Sequence, residues 1–370
     1  MIKIVHTGDN HIGLKFRSRY SPQVSEQLIQ ERFDSLKRIV AKGNEKKAHF
    51  IVIAGDLFDS TSVPQKDIKA VTEILSLFAG DVIVIPGNHD FYEDEPGKLW
   101  SWFRDFSRSN THLLTDHQPY VFNVEDKEII FYPGVCRSRH SETNMIGWVH
   151  QEEKDTNALT IGIAHGNVEG LGLGGDQYFN MTSEELKKTG LHFWILGHIH
   201  VPYPVNSEDI TTPFYYCGTP APDGFDYWRT GSCWYIEVND GKTSKLEQWE
   251  TGKLKFYSWN IDLNTDMDID NLITNVRNIE PKNSLLRVYV KGRLTAVEKE
   301  KLKGQVEQWR NRFLFFEVQD ETYLRLQKEQ IDALYIQESL PHLLLSKLGE
   351  NDEDELALQF AHQLIEEVKQ

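Results

Sequence analysis

Five apolar, β-rich runs in the first two hundred residues each lead into a short polar segment that carries carboxylates, imidazoles or an amide. The runs are Ile2-Lys3-Ile4-Val5, Phe50-Ile51-Val52-Ile53, Val82-Ile83-Val84-Ile85, Leu159-Thr160-Ile161-Gly162-Ile163 and Phe193-Trp194-Ile195-Leu196. The segments are Asp9-Asn10-His11, Gly55-Asp56-Leu57-Phe58-Asp59, Gly87-Asn88-His89-Asp90, His165-Gly166 and Gly197-His198-Ile199-His200. Apolar runs this short, bounded by turn residues, read as buried strands. Strands that each end in such a loop deliver their polar side chains to one edge of a sheet.

The intervening chain supplies helices. Leu28, Phe33, Leu36, Ile39 and Val40 fall near a 3.6-residue period over 26–42, and Ile68, Val71, Ile74, Leu75 and Phe78 do so over 66–78. Tyr120-Val121-Phe122, Ile129-Ile130-Phe131, Phe214-Tyr215-Tyr216 and the run from Cys233 to Val238 read as further short strands. The expected fold class is therefore α/β: a two-sheet β-sandwich flanked by helices, over residues 1–254.

The pattern changes near Gly252. Residues 255–262, 285–291 and 313–318 read as strands, with helices over 268–279 and 295–311 between them. This predicts a small α+β domain over 255–319 that carries none of the clustered histidines. Residues 320–370 read as helical, with Leu340, Leu343, Leu344 and Leu345 followed by Leu356, Leu358, Phe360, Ile365 and Val368. Those apolar residues are too few for an independent core and too many for a solvated tail, so the segment is expected to dock on something.

The 370 residues carry a net charge of −16, which argues against a broad basic nucleic-acid face. Half of that excess lies in the tail: from Asp320 onward twelve Asp/Glu stand against four Lys/Arg, a net of −8. No apolar run approaches the roughly 20 residues of a membrane span, so no membrane association is expected. A first strand opening at Ile2 leaves no room for a signal peptide, which makes a cytoplasmic location the expectation. Cys136, Cys217 and Cys233 form no CxxC pair and read as buried reduced thiols.

Asp9, His11, Asp56, Asn88, His165, His198 and His200 together offer the mixed oxygen and imidazole donors that two divalent ions need, with Mn²⁺ the best match. Asp56, mid-cluster, is suited to bridge the ions through its two oxygens. The neutral Asn88 amide leaves them Lewis-acidic. His89 suits a general acid for a leaving alkoxide, with Asp59 holding its imidazolium. The nine other histidines, among them His6, His49, His140 and His192, read as packing or surface residues.

The set DxH, GDxxD, GNHD, His-Gly and GHIH resembles the signature of calcineurin-like metallophosphoesterases. The resemblance implies one ion on Asp9, His11, Asp56 and His200, the other on Asp56, Asn88, His165 and His198, and an acid dyad of His89 with Asp59. The stretch His6-Thr7-Gly8-Asp9-Asn10-His11-Ile12-Gly13, together with Gly218-Thr219-Pro220, is similar in particular to SbcD-type DNA repair exonucleases, although Gly8 and Asn10 depart from their usual first motif. That branch implies a Mn²⁺-dependent DNA nuclease subunit, a capping domain beside the DNA path, and C-terminal helices that bind an SbcC-like coiled-coil ATPase. It also implies a homodimer, for which the helices near Leu75–Phe78 or Leu99–Phe106 are the available surfaces.

Arg17, Arg19, Arg137 and Arg139, with His140, follow metal-type loops or strands and are the candidate phosphate contacts. Tyr227-Trp228-Arg229 suits either base stacking or packing. The sequence Gly170-Leu171-Gly172-Leu173-Gly174-Gly175 fits GxGxxG but sits too far past a strand to cradle a nucleotide, and the acidic run over 350–355 reads as a solvated loop. Two rivals to the nuclease remain: a phosphodiesterase for a small nucleotide or other phosphoester, and a non-catalytic metal-binding protein that recruits a partner.

Overall fold

A strand whose consecutive residues are all apolar must be covered on both faces, because side chains alternate between them. In the computed structural model of the chain, β1 (Ile2–Thr7), β2 (Phe50–Ala54) and β3 (Asp81–Ile85) meet that requirement between two layers. The structure describes residues 1–370 apart from 156, 173–177, 228–229, 327, 351–354 and 370. Half of the GxGxxG stretch (173–175), the pair after Tyr227 and most of the acidic run therefore lie outside the described residues, as does the side chain of Arg17.

The chain divides into two compact units, Met1–Lys255 and Phe256–Gln370. In the first, one six-stranded sheet has the order β12-β11-β1-β2-β3-β4, with β4 at Thr111–Leu113, β11 at Ser232–Asn239 and β12 at Lys242–Glu250. The other has the order β5-β6-β7-β8-β10-β9, from β5 (Tyr120–Val124), β6 (Lys127–Gly134), β7 (Leu159–His165), β8 (Phe193–Gly197), β9 (Pro202–Tyr203) and β10 (Phe214–Cys217). β1, β2 and β3 run parallel in the first sheet, as do β6, β7, β8 and β10 in the second, so their C-terminal loops emerge on one edge within each sheet.

Alternation sorts the side chains. Phe50, Val52 and Ala54 meet Phe131, Ile161, Ile163 and Ile195 between the sheets. Ile51 and Ile53 point the other way, against α1 (Pro22–Glu45), α2 (Gln65–Leu75) and α3 (Leu99–Phe106). The outer face of the second sheet buries Trp194, Leu196 and Tyr216 with Leu186 of α4 (Ser183–Lys188). α1 begins earlier than its apolar period suggests, because the Ser21 hydroxyl accepts from the Val24 N–H and Pro22 opens the first turn. β12 escaped the sequence reading because it is an edge strand: only Leu246 and Trp249 of its nine residues are buried.

The helices nominated for self-association spend their apolar residues inward. Leu75, Phe78, Leu99, Trp100 and Phe103 are core, and Leu77 is the large apolar residue left exposed there. The three cysteines are buried and unpaired. Among the described residues no helix is long and apolar enough to cross a membrane.

The second unit carries a three-stranded sheet in the order β13 (Lys255–Leu263), β14 (Ser284–Leu294), β15 (Phe315–Leu324). α5 (Asp266–Arg277) and α6 (Ala296–Arg310) pack on it through Ile269, Leu272, Val276, Leu302 and Val306. Both helices open with capping boxes, Thr265 with Asp268 and Thr295 with Glu298. β15 runs to Leu324, beyond the expected end, because its ladder with β14 continues through polar residues that hydropathy does not reveal. After it come α7 (Lys328–Leu334), α8 (Leu340–Leu348) and α9 (Glu355–Lys369), gathered around Leu326, Ile331, Tyr335, Leu345 and Leu358.

Candidate metal centre

The strand-end loops are tightly bent. Asp9, His11, Asp56 and His198 all have positive φ, at 51°, 44°, 50° and 98°. Such a conformation costs a non-glycine residue on the order of 1–3 kcal/mol and tends to persist at functional sites. Main-chain bonds hold the first two loops together: Asp9 N–H to Gly55 O and His11 N–H to Asp56 O, at 3.1 and 3.0 Å. The glycines preceding two ligand candidates are there for close approach. A Cβ on Gly87 would run into the Asp56 carboxylate, and one on Gly55 into the His165 ring.

Seven candidate donors converge as two adjoining pockets. In one, His11 Nε2 lies 3.2 Å from His200 Nε2, and His200 Nε2 lies 3.8 Å from Asp9 Oδ1. In the other, Asn88 Oδ1 is 2.9 Å from His165 Nε2 and 3.1 Å from His198 Nδ1. Asp56 Oδ2 faces both, 3.7 Å from His11 Nε2 and 3.3 Å from His165 Nε2. Its Oδ1 is already used, accepting the His89 N–H at 2.9 Å. Oδ2 is thus the Asp56 oxygen that faces both pockets.

The electrostatics fit cations. Burial, reinforced by the charge of Asp56, pushes Asp9 up to about 7. Burial would also raise Asp56, but the His165 and His11 imidazoles hold it well below the usual carboxylate range. For His165 burial acts downward, and the Asp56 charge overrides it, taking the ring up to about 9. His165 Nδ1 donates to Ala54 O at 2.8 Å, which leaves Nε2 as the nitrogen facing Asp56 and Asn88. Burial and neighbouring His11 bring His200 down to about 4, so its ring is neutral and able to ligate. Two buried carboxylates, an amide oxygen and four imidazoles turned inward are a donor set that divalent ions match.

His89 is half-buried at the rim, its ring edge-on to His11 at 4.8 Å. The Asp59 carboxylate makes no direct ion pair with His89, although its charge still favours the protonated ring. His89 Nδ1 donates instead to the Asp59 main-chain oxygen at 3.1 Å, while the carboxylate lies 3.6 Å from His11 Nδ1. The Asp59 backbone continues the bent second loop towards His89, which leaves its side chain on the His11 side.

Three groups escaped the sequence reading. Asp90, fully buried, accepts from Phe58 N–H at 2.9 Å and Gly87 N–H at 2.6 Å and so staples two ligand loops together. Burial and Asp56 push it up to about 7. Its place in GNHD was visible, but not its partners. Asp223 and Arg32 lie behind His200, from a loop and from α1, with no motif to announce them.

The proposed phosphate contacts fare unevenly. Arg137 is tied to Thr115 O at 2.7 Å and lies over the Tyr92 ring, and Arg19 lies over Phe225. Arg139 is exposed, with its main-chain oxygen 3.4 Å from Asn88 Nδ2. Four of the remaining histidines pair within the fold: His6 with Leu196 O, His49 with Lys3 N–H, His192 with Thr160, and His140 against the Tyr178 ring.

Comparison with known proteins agrees with the site. The chain is 27% identical over 215 residues to the uncharacterized metallophosphoesterase YhaO of Bacillus subtilis (strain 168), covering 56% of this chain and 50% of that one. It therefore spans about half the length of that curated relative. The profile of the calcineurin-like phosphoesterases matches residues 2–202, which include the whole donor set. The chain belongs to the calcineurin-like phosphoesterase family.

Proposed function

We propose that this chain is a Mn²⁺-dependent DNA nuclease subunit of the SbcD type, hydrolysing phosphodiester bonds in DNA repair. The observation that carries the reading is the pair of donor pockets sharing Asp56 Oδ2, with His89 at their rim. Asp9, His11, Asp56 and His200 would hold one ion, and Asp56, Asn88, His165 and His198 the other. When bound, two such ions offset charge on the phosphoryl oxygens and make a water nucleophilic at neutral pH.

His89 supplies the proton. Its Nδ1–H is committed to Asp59 O, so Nε2 is the nitrogen that serves the departing ester oxygen. Burial lowers its pKa and the Asp56 charge opposes that; an incoming phosphodiester anion favours the protonated ring further. As the water oxygen bonds to phosphorus and gives up a proton to solvent, the ester P–O bond breaks and the leaving oxygen takes the His89 proton. Asp90 keeps the loops bearing Asp56 and Asn88 in register while this happens.

A nucleic-acid substrate is favoured by a cleft of about 610 Å³ in the second unit, where Lys291, Arg293 and Arg325 face a single carboxylate, Asp262. Three cations gathered in so acidic a chain suit a polyanion. The exposed leucines of α7–α9 favour docking of an SbcC-like coiled-coil ATPase. The overall charge of −16 favours the second reading, a phosphodiesterase for a small phosphoester.

The test compares wild type with His89→Ala on end-labelled DNA and on bis-p-nitrophenyl phosphate, with Mn²⁺ or EDTA. The nuclease reading expects metal-dependent cleavage of both, with DNA cleavage reduced roughly 10²–10⁴-fold in the variant and the nitrophenyl ester much less affected, because its leaving group departs without a proton. Cleavage of the small ester alone, unchanged when the ATPase partner is added, would establish the second reading.

A further inference from the structure

Behind His200 lies a polar chain that the chemistry above does not use. Arg32 of α1 is only 2% exposed. Its Nη1 donates to the main-chain oxygen of Asn10 at 2.7 Å, between ligand candidates Asp9 and His11. Its Nη2 lies 3.4 Å from Asp223 Oδ2, and that same oxygen lies 3.8 Å from His200 Nδ1. The other face of the guanidinium rests on the Phe16 ring.

This arrangement bears on one ring only. His200 turns Nε2 towards His11 and Asp9, so to ligate there it must keep its proton on Nδ1. A carboxylate facing Nδ1 favours that tautomer and that ring orientation. Asp223 is partly exposed, and the buried guanidinium gives it a fixed counter-charge. Anchoring of α1 does not require this cation, because Glu31 beside it already accepts from Arg38 Nη2 and the Lys253 N–H, both at 2.5 Å. A buried charge is a costly way to fasten a helix, which an apolar side chain would do without desolvation.

We propose that Arg32 and Asp223 are a positioning pair for the first pocket, setting its cation affinity through the orientation of His200 and leaving the second pocket unaffected. The proposal rests on the ligand assignment made above, and its test does not depend on the substrate.

The experiment titrates the metal-free full chain with Mn²⁺ by calorimetry, with bound metal counted by elemental analysis. Asp223→Asn is expected to weaken one of two ions by about 10–100-fold, the usual size of a lost supporting group, with the other unchanged. Asp223→Glu should recover most of that loss, and adding Asp223→Asn to His200→Ala should weaken binding no further. Arg32→Lys should fall between wild type and Asp223→Asn. Identical titrations of wild type and Asp223→Asn would overturn the pairing, as would equal weakening of both ions in a folded variant. A wild-type chain that takes up fewer than two ions overturns the ligand assignment, and the positioning pair with it.

Discussion

In the first unit the residues behind the ligand loops are buried to the last methyl: Phe58 and Phe103 are 0% exposed and Trp100 is 1% exposed. In the second, Leu334, Ile336, Leu340, Leu343, Leu344, Leu356, Phe360, Leu364 and Val368 remain 43–87% exposed. The first unit uses its apolar residues to hold polar groups in a strained, convergent arrangement. The second uses a small core to hold apolar and cationic groups outward. Strained loops need a rigid support, since positive φ at four ligand candidates persists only where packing imposes it. Surface leucines need no such support.

The sharpest way to break this contrast is at Asp56, whose Oδ2 faces both pockets. Asp56→Asn should release both ions and abolish turnover, a loss beyond the roughly 10–100-fold expected for a supporting group. Metal content measured on the purified variant checks it, and retention of two ions would refute the shared-oxygen reading.

Packing gives the next largest difference. Phe103→Ala, in the core against Phe58 of the second ligand loop, is expected to cost about 3–5 kcal/mol. Phe360→Ser on α9 should stay within roughly 0.5 kcal/mol, because that side chain is 65% exposed. Denaturant melts of the two variants measure both, and a large loss for Phe360→Ser would mean that this surface is already engaged.

Charge in the second unit can be separated from chemistry in the first. Lys291→Glu with Arg293→Glu should lower DNA affinity and flatten its salt dependence, by about one unit of slope for each phosphate no longer neutralised. Cleavage of bis-p-nitrophenyl phosphate should be unchanged. An unaltered salt slope would remove the cleft from the DNA path.

The smallest effect concerns the caps. Thr265→Ala should cost about 1 kcal/mol, since its hydroxyl accepts from Asp268 N–H. The reciprocal bonds from the Asn264 and Thr265 main-chain N–H groups hold the Asp268 carboxyl below its usual value. A carboxyl depressed in the folded state contributes stability above its ordinary pKa near 3.8, and that contribution is lost as pH falls through the depressed value. Thermal melts from pH 7 to pH 2.5 should therefore show a shallower acid-side decline in Asp268→Asn.

Much of the site was legible because ligation demands particular atoms at strand ends. Asp9, His11, Asp56, Asn88, His165, His198 and His200 all followed apolar runs, and all seven meet in space. The supporting groups were not legible. Arg32 lies in the middle of α1 and Asp223 in a loop more than twenty residues after His200, so no local pattern links them. β12 and the end of β15 were missed for a related reason: strands solvated on one face are held by their partner's ladder, not by their own hydropathy.

The sequence by itself determined the alternation of buried strands with amphipathic helices, the residue types of the candidate donors, and the change of pattern near Gly252. These depend on residue type and short-range period, which are local properties. The tertiary structure alone decided that one oxygen of Asp56 faces both pockets, that Asp59 meets His89 through its main chain, and that Asp223 stands behind His200. Those outcomes depend on which atom of a side chain points where, and that is settled by packing between segments far apart in the chain.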